Sequence, residues 1–145
     1  MNEFLVRSGL ADQPGFVIRL ASVAVWNDLV ATLATVDLKP QTYAALLIID
    51  TSPGCKQQDI ADALGIARPN LVALIDGLVE RGLAARGVNA DDRRSYALAL
   101  TDKGRALLRA GRTAHSLHEA RIAETLSNAE ATALLASARK LIRAG

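Results

Sequence analysis

The chain has 145 residues, which suits one domain and leaves little room for two. Half of it is hydrophobic, and alanine (27) and leucine (22) fill 49 positions, so it can build a core and favours helix over a disordered state. A single cysteine excludes an internal disulfide, and the longest unbroken apolar run, Tyr43 to Ile49, is far shorter than a membrane span. Residues 1–15 hold no basic patch followed by an apolar stretch, so no signal peptide is expected. The expectation is a cytoplasmic, mainly helical domain with no membrane partner. The net charge of +2 names no partner, but its distribution is uneven. Residues 1–55 carry −2, residues 56–112 carry +3 and residues 113–145 carry +1. Excess cation in mid-chain suits a polyanion; a solvated face of mixed charge is the alternative.

Residues 15–35 predict a long helix, because Phe16, Leu20, Val23, Trp26, Val30 and Leu33 recur at helical spacing. Val17, Ala24, Val25 and Leu29 extend the apolar surface nearly around the cylinder, so this helix needs cover on most sides. In so short a chain that implies a partner subunit. Pro40 opens a second helix through Tyr43, Leu46, Leu47 and Ile49, which Thr51-Ser52-Pro53-Gly54 ends as a loop. Lys56 to Leu64 predicts a short amphipathic helix with Ile60, Ala61 and Leu64 inward and Gly65 as a left-handed cap. Pro69 opens the next helix, which turns Leu71, Leu74, Ile75 and Leu78 inward and stops at Gly82. Two helices joined by a turn of about four residues centred on Gly65 have the spacing of a helix-turn-helix.

Tyr96, Leu98 and Leu100 alternate with Ser95, Ala97 and Ala99, which is strand periodicity. Leu83 to Val88 is the partner strand, and Asn89 to Arg94 is a polar tip. A helix-turn-helix followed by a charged hairpin is a winged helix. Thr101 caps a helix reaching about Leu126, with Asp102 in its first turn. A last helix covers Ala129 to Arg143.

In this order and spacing, the chain resembles the MarR family of bacterial transcription regulators. The most specific residues are Gly82-Leu83, Asp92-Arg93-Arg94 and Leu100-Thr101-Asp102-Lys103-Gly104. Ile60-Ala61, Leu64-Gly65, Leu38, Pro40 and Tyr43 also match. The resemblance spans nearly the whole chain. It implies a single domain over 1–145, mainly α with a small β-hairpin wing. A winged helix-turn-helix lobe would occupy 38–101, with dimerisation helices in 1–37 and 102–145. It also implies a homodimeric, nucleoid-associated repressor of a pseudo-palindromic operator. An effector pocket, often for phenolic or aromatic carboxylate ligands, would lie between the dimer helices and the DNA lobe.

The helix from Pro69 should then lie in a major groove. Arg68 and Asn70 project from its first turn; asparagine can pair with adenine and arginine with guanine. The bland alternative is that Asn70 caps the turn and Arg68 is solvated. Val72, like Ala67 and Ala73, stands where relatives are often polar, so apolar contact or DNA shape takes a larger share of recognition. At the wing, Arg94 suits a narrow minor groove, with Asp92 positioned to hold it; a surface ion pair without function is the alternative. Arg93, Arg86 and Lys56 suit phosphates.

Trp26, Tyr43, Arg19 and His115 are candidates for the effector pocket, although residues such as Trp26 and Tyr43 are more often core. His115, His118 and Glu119 share one helix, but too few ligands accompany them for a structural metal site. A polar pocket lining or surface histidines is preferred. Cys55 could be a redox switch, but a half-buried structural role is preferred. Phosphate-loop, nucleophile-elbow and zinc-protease motifs are missing, so neither enzymatic activity nor a cofactor is expected. The rival readings are a winged helix for protein contact alone and a redox- or metal-responsive regulator.

Overall fold

Pro14 and Pro40 each stand in the first turn of a helix, where a missing N–H costs nothing. The computed structural model describes residues 3–88 and 96–144. A short α1 (Glu3–Arg7) and a single 3-10 turn (Leu10–Asp12) lead into α2 (Pro14–Ala34). Then come α3 (Pro40–Thr51), α4 (Gln57–Leu64) and α5 (Arg68–Glu80). Strands β1 (Ala84–Val88) and β2 (Tyr96–Leu100) form an antiparallel pair, with Ala84 opposite Leu100 and Val88 opposite Tyr96. Helices α6 (Asp102–Thr125) and α7 (Asn128–Ala144) complete the chain. This is the winged helix-turn-helix that the periodicity and turn residues predict. The differences are α1, which sequence reading does not anticipate, and helix ends displaced by a residue or so.

The core lies where α3, α4, α5 and the hairpin meet. Leu46, Ile49, Ile60, Leu71, Ile75, Leu78, Leu83 and Leu98 are all fully buried there. Burying each such side chain contributes about 1.5–3 kcal/mol, so this lobe holds itself together by apolar burial. The outer helices do not. Only Thr32 and Leu33 of α2 are buried, and no residue of α7 is. Val17, Ile18, Val23, Val25, Trp26, Leu134, Leu141 and Ile142 remain exposed.

By length and composition α2 could cross a membrane. Its apolar stretches are broken by Arg19, Asn27 and Asp28, so no unbroken run reveals this property. Most of its apolar surface is left uncovered within the subunit. Helices α2, α6 and α7 enclose an apolar cleft of about 600 Å³ lined by Val25, Ile122, Leu126, Leu134 and Leu135.

Candidate nucleic-acid interface

The helix-turn-helix corner is set by local chemistry. The Lys56 backbone N–H donates to Asp59 Oδ2 at 2.8 Å, which starts α4. Ile60 and Ala61 fix its inner face. Gly65 takes a left-handed conformation at φ 61°, which a side chain would resist, and Ile66 N–H returns to the Ala61 carbonyl at 3.1 Å. Helix α5 then leaves at the angle that buries Leu71, Ile75 and Leu78. Its other face presents Arg68, Pro69, Asn70 and Val72 to solvent.

The Asn70 N–H is already bonded to the Ala67 carbonyl at 3.0 Å, and Pro69 has none to give. The α5 terminus therefore offers few backbone donors, and its side chains must make most of the contact. The Asn70 side chain makes no hydrogen bond among the described residues. It does not cap the turn, so its amide stays available.

The hairpin is pinned at its base. The Thr101 hydroxyl accepts from Gly104 N–H at 3.0 Å, capping α6, and donates to the Gly82 carbonyl at 2.7 Å. Lys103 Nζ reaches the Arg81 carbonyl at 2.7 Å. A Cβ on Gly104 would sit 1.9 Å from the Leu83 carbonyl oxygen, so only glycine allows α6 to pack against the turn that enters β1. The Leu-Thr-x-x-Gly pattern is thus the joint between wing and helix. On the far side of β2, Gly54 N–H donates to the Leu98 carbonyl at 3.1 Å and Leu98 N–H to the Cys55 carbonyl at 3.3 Å. Arg86 on β1 is bonded to Asp76 of α5, which ties wing to recognition helix. Lys56 is exposed at the start of α4. Asp92, Arg93 and Arg94 lie outside the described residues.

Behind this surface, Trp26 and Leu29 of α2, Tyr43 and Leu47 of α3, Leu64 of α4 and His115 of α6 line a cavity of about 320 Å³. The fold thus brings together three of the four residues singled out for a pocket. Tyr43 is nine-tenths buried whereas Trp26 is 49% exposed, so only Tyr43 belongs to the core. The Tyr43 and His115 rings stack with centroids 5.2 Å apart. Arg19 lies exposed on α2 and is not among the lining residues.

His118 is no surface histidine. It is buried, and its Nδ1–H donates to Asp28 Oδ2 at 2.5 Å. Arg121 adds bonds of 3.0 Å to Asp28 Oδ1 and 2.8 Å to Oδ2, and also reaches the Thr32 hydroxyl. The Arg121 bonds, then that of His118, hold the Asp28 carboxyl below its ordinary 3.8. This network joins residues some ninety positions apart, and no local pattern announces it. Among the described residues no cluster of three His, Cys, Asp or Glu side chains could hold a metal ion. Cys55 is half-buried, and burial pushes its thiol above the ordinary range, the reverse of what a reactive thiolate needs.

Residues 36–95 match the sequence pattern of the MarR family. The transcriptional repressor CouR, solved on a 23-mer DNA duplex, is 39% identical, with a TM-score of 0.86 over 92% of this chain and 94% of that one. CouR bound to p-coumaroyl-CoA is 38% identical, with a TM-score of 0.83 and the same coverage. CouR from Rhodococcus jostii RHA1, also bound to p-coumaroyl-CoA, is 24% identical; its TM-score of 0.81 over 91% of this chain and 93% of that one supports the shared fold. Proteins of this kind are dimeric, non-enzymatic DNA-binding regulators. Fold, motif order and relatives agree: the chain belongs to the MarR family and is a DNA-binding transcriptional regulator.

Proposed function

We propose that the chain is a nucleoid-associated repressor that grips a pseudo-palindromic operator as a dimer and releases it when an aromatic acyl-CoA thioester binds. Residues 38–101 form the DNA lobe, and 1–37 with 102–145 form the dimer frame. Arg68, Asn70 and Val72 meet base edges in the major groove, from a helix opened by Pro69. Arg94, steadied by Asp92, enters the minor groove. Lys56, Arg86 and Arg93 meet phosphates, each adding to a salt-dependent affinity.

The observation that supports release is the position of the Trp26–Tyr43–His115 cavity. Its walls come from α2 and α6 on the frame side and from α3 and α4 on the lobe side. A ligand there couples to DNA only if it prefers the arrangement in which the two recognition helices are wrongly spaced. The flat aromatic walls suit an aryl ring, and the cavity's volume is at the small end for such pockets, so the nucleotide of a CoA thioester stays outside. The larger cleft between α2, α6 and α7 adjoins faces that the second subunit covers, which makes it the weaker candidate.

The test is fluorescence anisotropy on a duplex from the gene's own promoter, with p-coumaroyl-CoA titrated into the preformed complex. Release at micromolar thioester, but not with free CoA, supports the proposal. A complex indifferent to the thioester refutes the effector assignment and leaves DNA binding standing.

A further inference from the structure

A groove of about 410 Å³ runs between α5 and the start of α3. Asn70, Ala73 and Gly77 form its α5 wall, at the three- to four-residue spacing that keeps them on one face, and Arg81 closes its end. Lys39 and Thr42 stand opposite, and there is no carboxylate among the described lining residues. Ala73 is exposed, and a Cβ at Gly77 would meet nothing within 4 Å, so the α5 wall is low and open. Arg81 is committed elsewhere, because its guanidinium holds Asp37 Oδ2 at 2.7 Å. The Lys39 ammonium is exposed and has neither an ion pair nor a hydrogen bond among the described residues. Thr42 is only 8% exposed, and its hydroxyl makes no hydrogen bond among the described residues. Every fully buried side-chain oxygen or nitrogen among those residues has a partner, so this hydroxyl is open to solvent, and the groove is the surface that Thr42 lines.

We propose that the start of α3 belongs to the DNA interface: a backbone phosphate sits in this groove, paired with the Lys39 ammonium and accepting a hydrogen bond from the Thr42 hydroxyl. This rests on the reading that α5 lies in the major groove. That groove is about 12 Å wide and a helix with its side chains is about 10–12 Å across, so an inserted helix has a sugar–phosphate strand along each flank. On that reading Asn70 reaches a base edge while it also lines the groove, so the strand on its side of α5 passes Lys39. Neither Lys56 nor Arg86 lines this flank, which leaves Lys39 as the described cation free to neutralise that strand. The small residues at Ala73 and Gly77 give the strand room to approach.

The experiment measures affinity for a promoter duplex and for a random duplex by fluorescence anisotropy over a series of salt concentrations. It uses the full-length wild type, Lys39→Ala, Lys39→Arg, Thr42→Val and, as a control, Lys140→Ala on the exposed surface of α7. Lys39→Ala should weaken both duplexes by the same factor, about three- to tenfold at low salt, and make the slope of log affinity against log salt shallower by about one. Lys39→Arg should restore the slope. Thr42→Val, which keeps the shape and removes no charge, should weaken both duplexes by a smaller factor with the slope unchanged. An unchanged slope in Lys39→Ala, or an equal change in Lys140→Ala, overturns the inference while the major-groove reading of α5 stands. A wild type that binds neither duplex at low salt removes that reading and this inference with it.

Discussion

His118 Nδ1 lies 2.5 Å from Asp28 Oδ2, and with Arg121 on the same carboxylate this bond fastens α6 to α2. An ionised carboxylate only accepts, so the proton sits on Nδ1 and the ring's orientation is fixed. The bond matters because α2 buries so little else within the subunit.

Asp28→Asn should therefore lower the thermal midpoint by several degrees near neutral pH, as a weaker acceptor faces His118 and Arg121. The pH dependence has a definite sign. The folded-state pKa of Asp28 is lowered, so its stabilisation is present above the unfolded value near 3.8 and is lost as pH falls through the lower folded value. Thermal melts of both proteins should differ by a constant amount above about pH 5 and converge below about pH 4. A difference that grows in acid would contradict the assignment.

The joint at the base of the wing predicts a graded pair. Gly104→Ala drives a methyl into the Leu83 carbonyl and should cost roughly 2–4 kcal/mol, with loss of DNA binding as the hairpin is displaced. Thr101→Ala removes one cap and its bond to the Gly82 carbonyl, and should cost about 1–2 kcal/mol. Urea unfolding measures both. Equal effects would mean that the close approach is relieved elsewhere.

Much of this was legible in the sequence because it is local. Gly65, Pro40, Thr101 and the alternation from Tyr96 to Leu100 each act through neighbours within a few residues, so their chemistry appears as a pattern. Gly104 is visible as part of a motif, but its reason is the Leu83 carbonyl, in the turn that enters β1. The bonds from His118 to Asp28 and from Arg86 to Asp76 are tertiary; periodicity is silent about them. Helix α1 is only five residues long and buries nothing, so it leaves no apolar period to read. The joining of Trp26, Tyr43 and His115 in one cavity depends on how α2, α3 and α6 cross, and Arg19, seven positions before Trp26, shows how easily a residue on the right helix falls outside it.

The recognition surface makes two separable predictions. Arg94→Ala should weaken operator binding by roughly 1–3 kcal/mol. On the proposed base-reading role of its free amide, Asn70→Ala should reduce the preference for the operator over random duplex more than it reduces affinity for random duplex. Anisotropy titrations on both duplexes decide this. Parallel losses on operator and random DNA for Asn70→Ala would assign it to the backbone.

The proposed dimer seam falls on surface that the subunit leaves uncovered. Leu141 and Ile142 of α7 are exposed, Ile142 at 79%. Replacing both with glutamate should convert the protein to monomers in sedimentation velocity and reduce operator affinity at least tenfold, because one lobe alone loses the gain of joint binding. A stable dimer in the double variant would place the interface elsewhere.

The most direct test of the whole account is a footprint of the purified protein on its own promoter region. It predicts two protected half-sites related by a pseudo-dyad, about one helical turn apart, with protection fading steeply as salt rises. A single isolated half-site, or no protection at low salt, would contradict it.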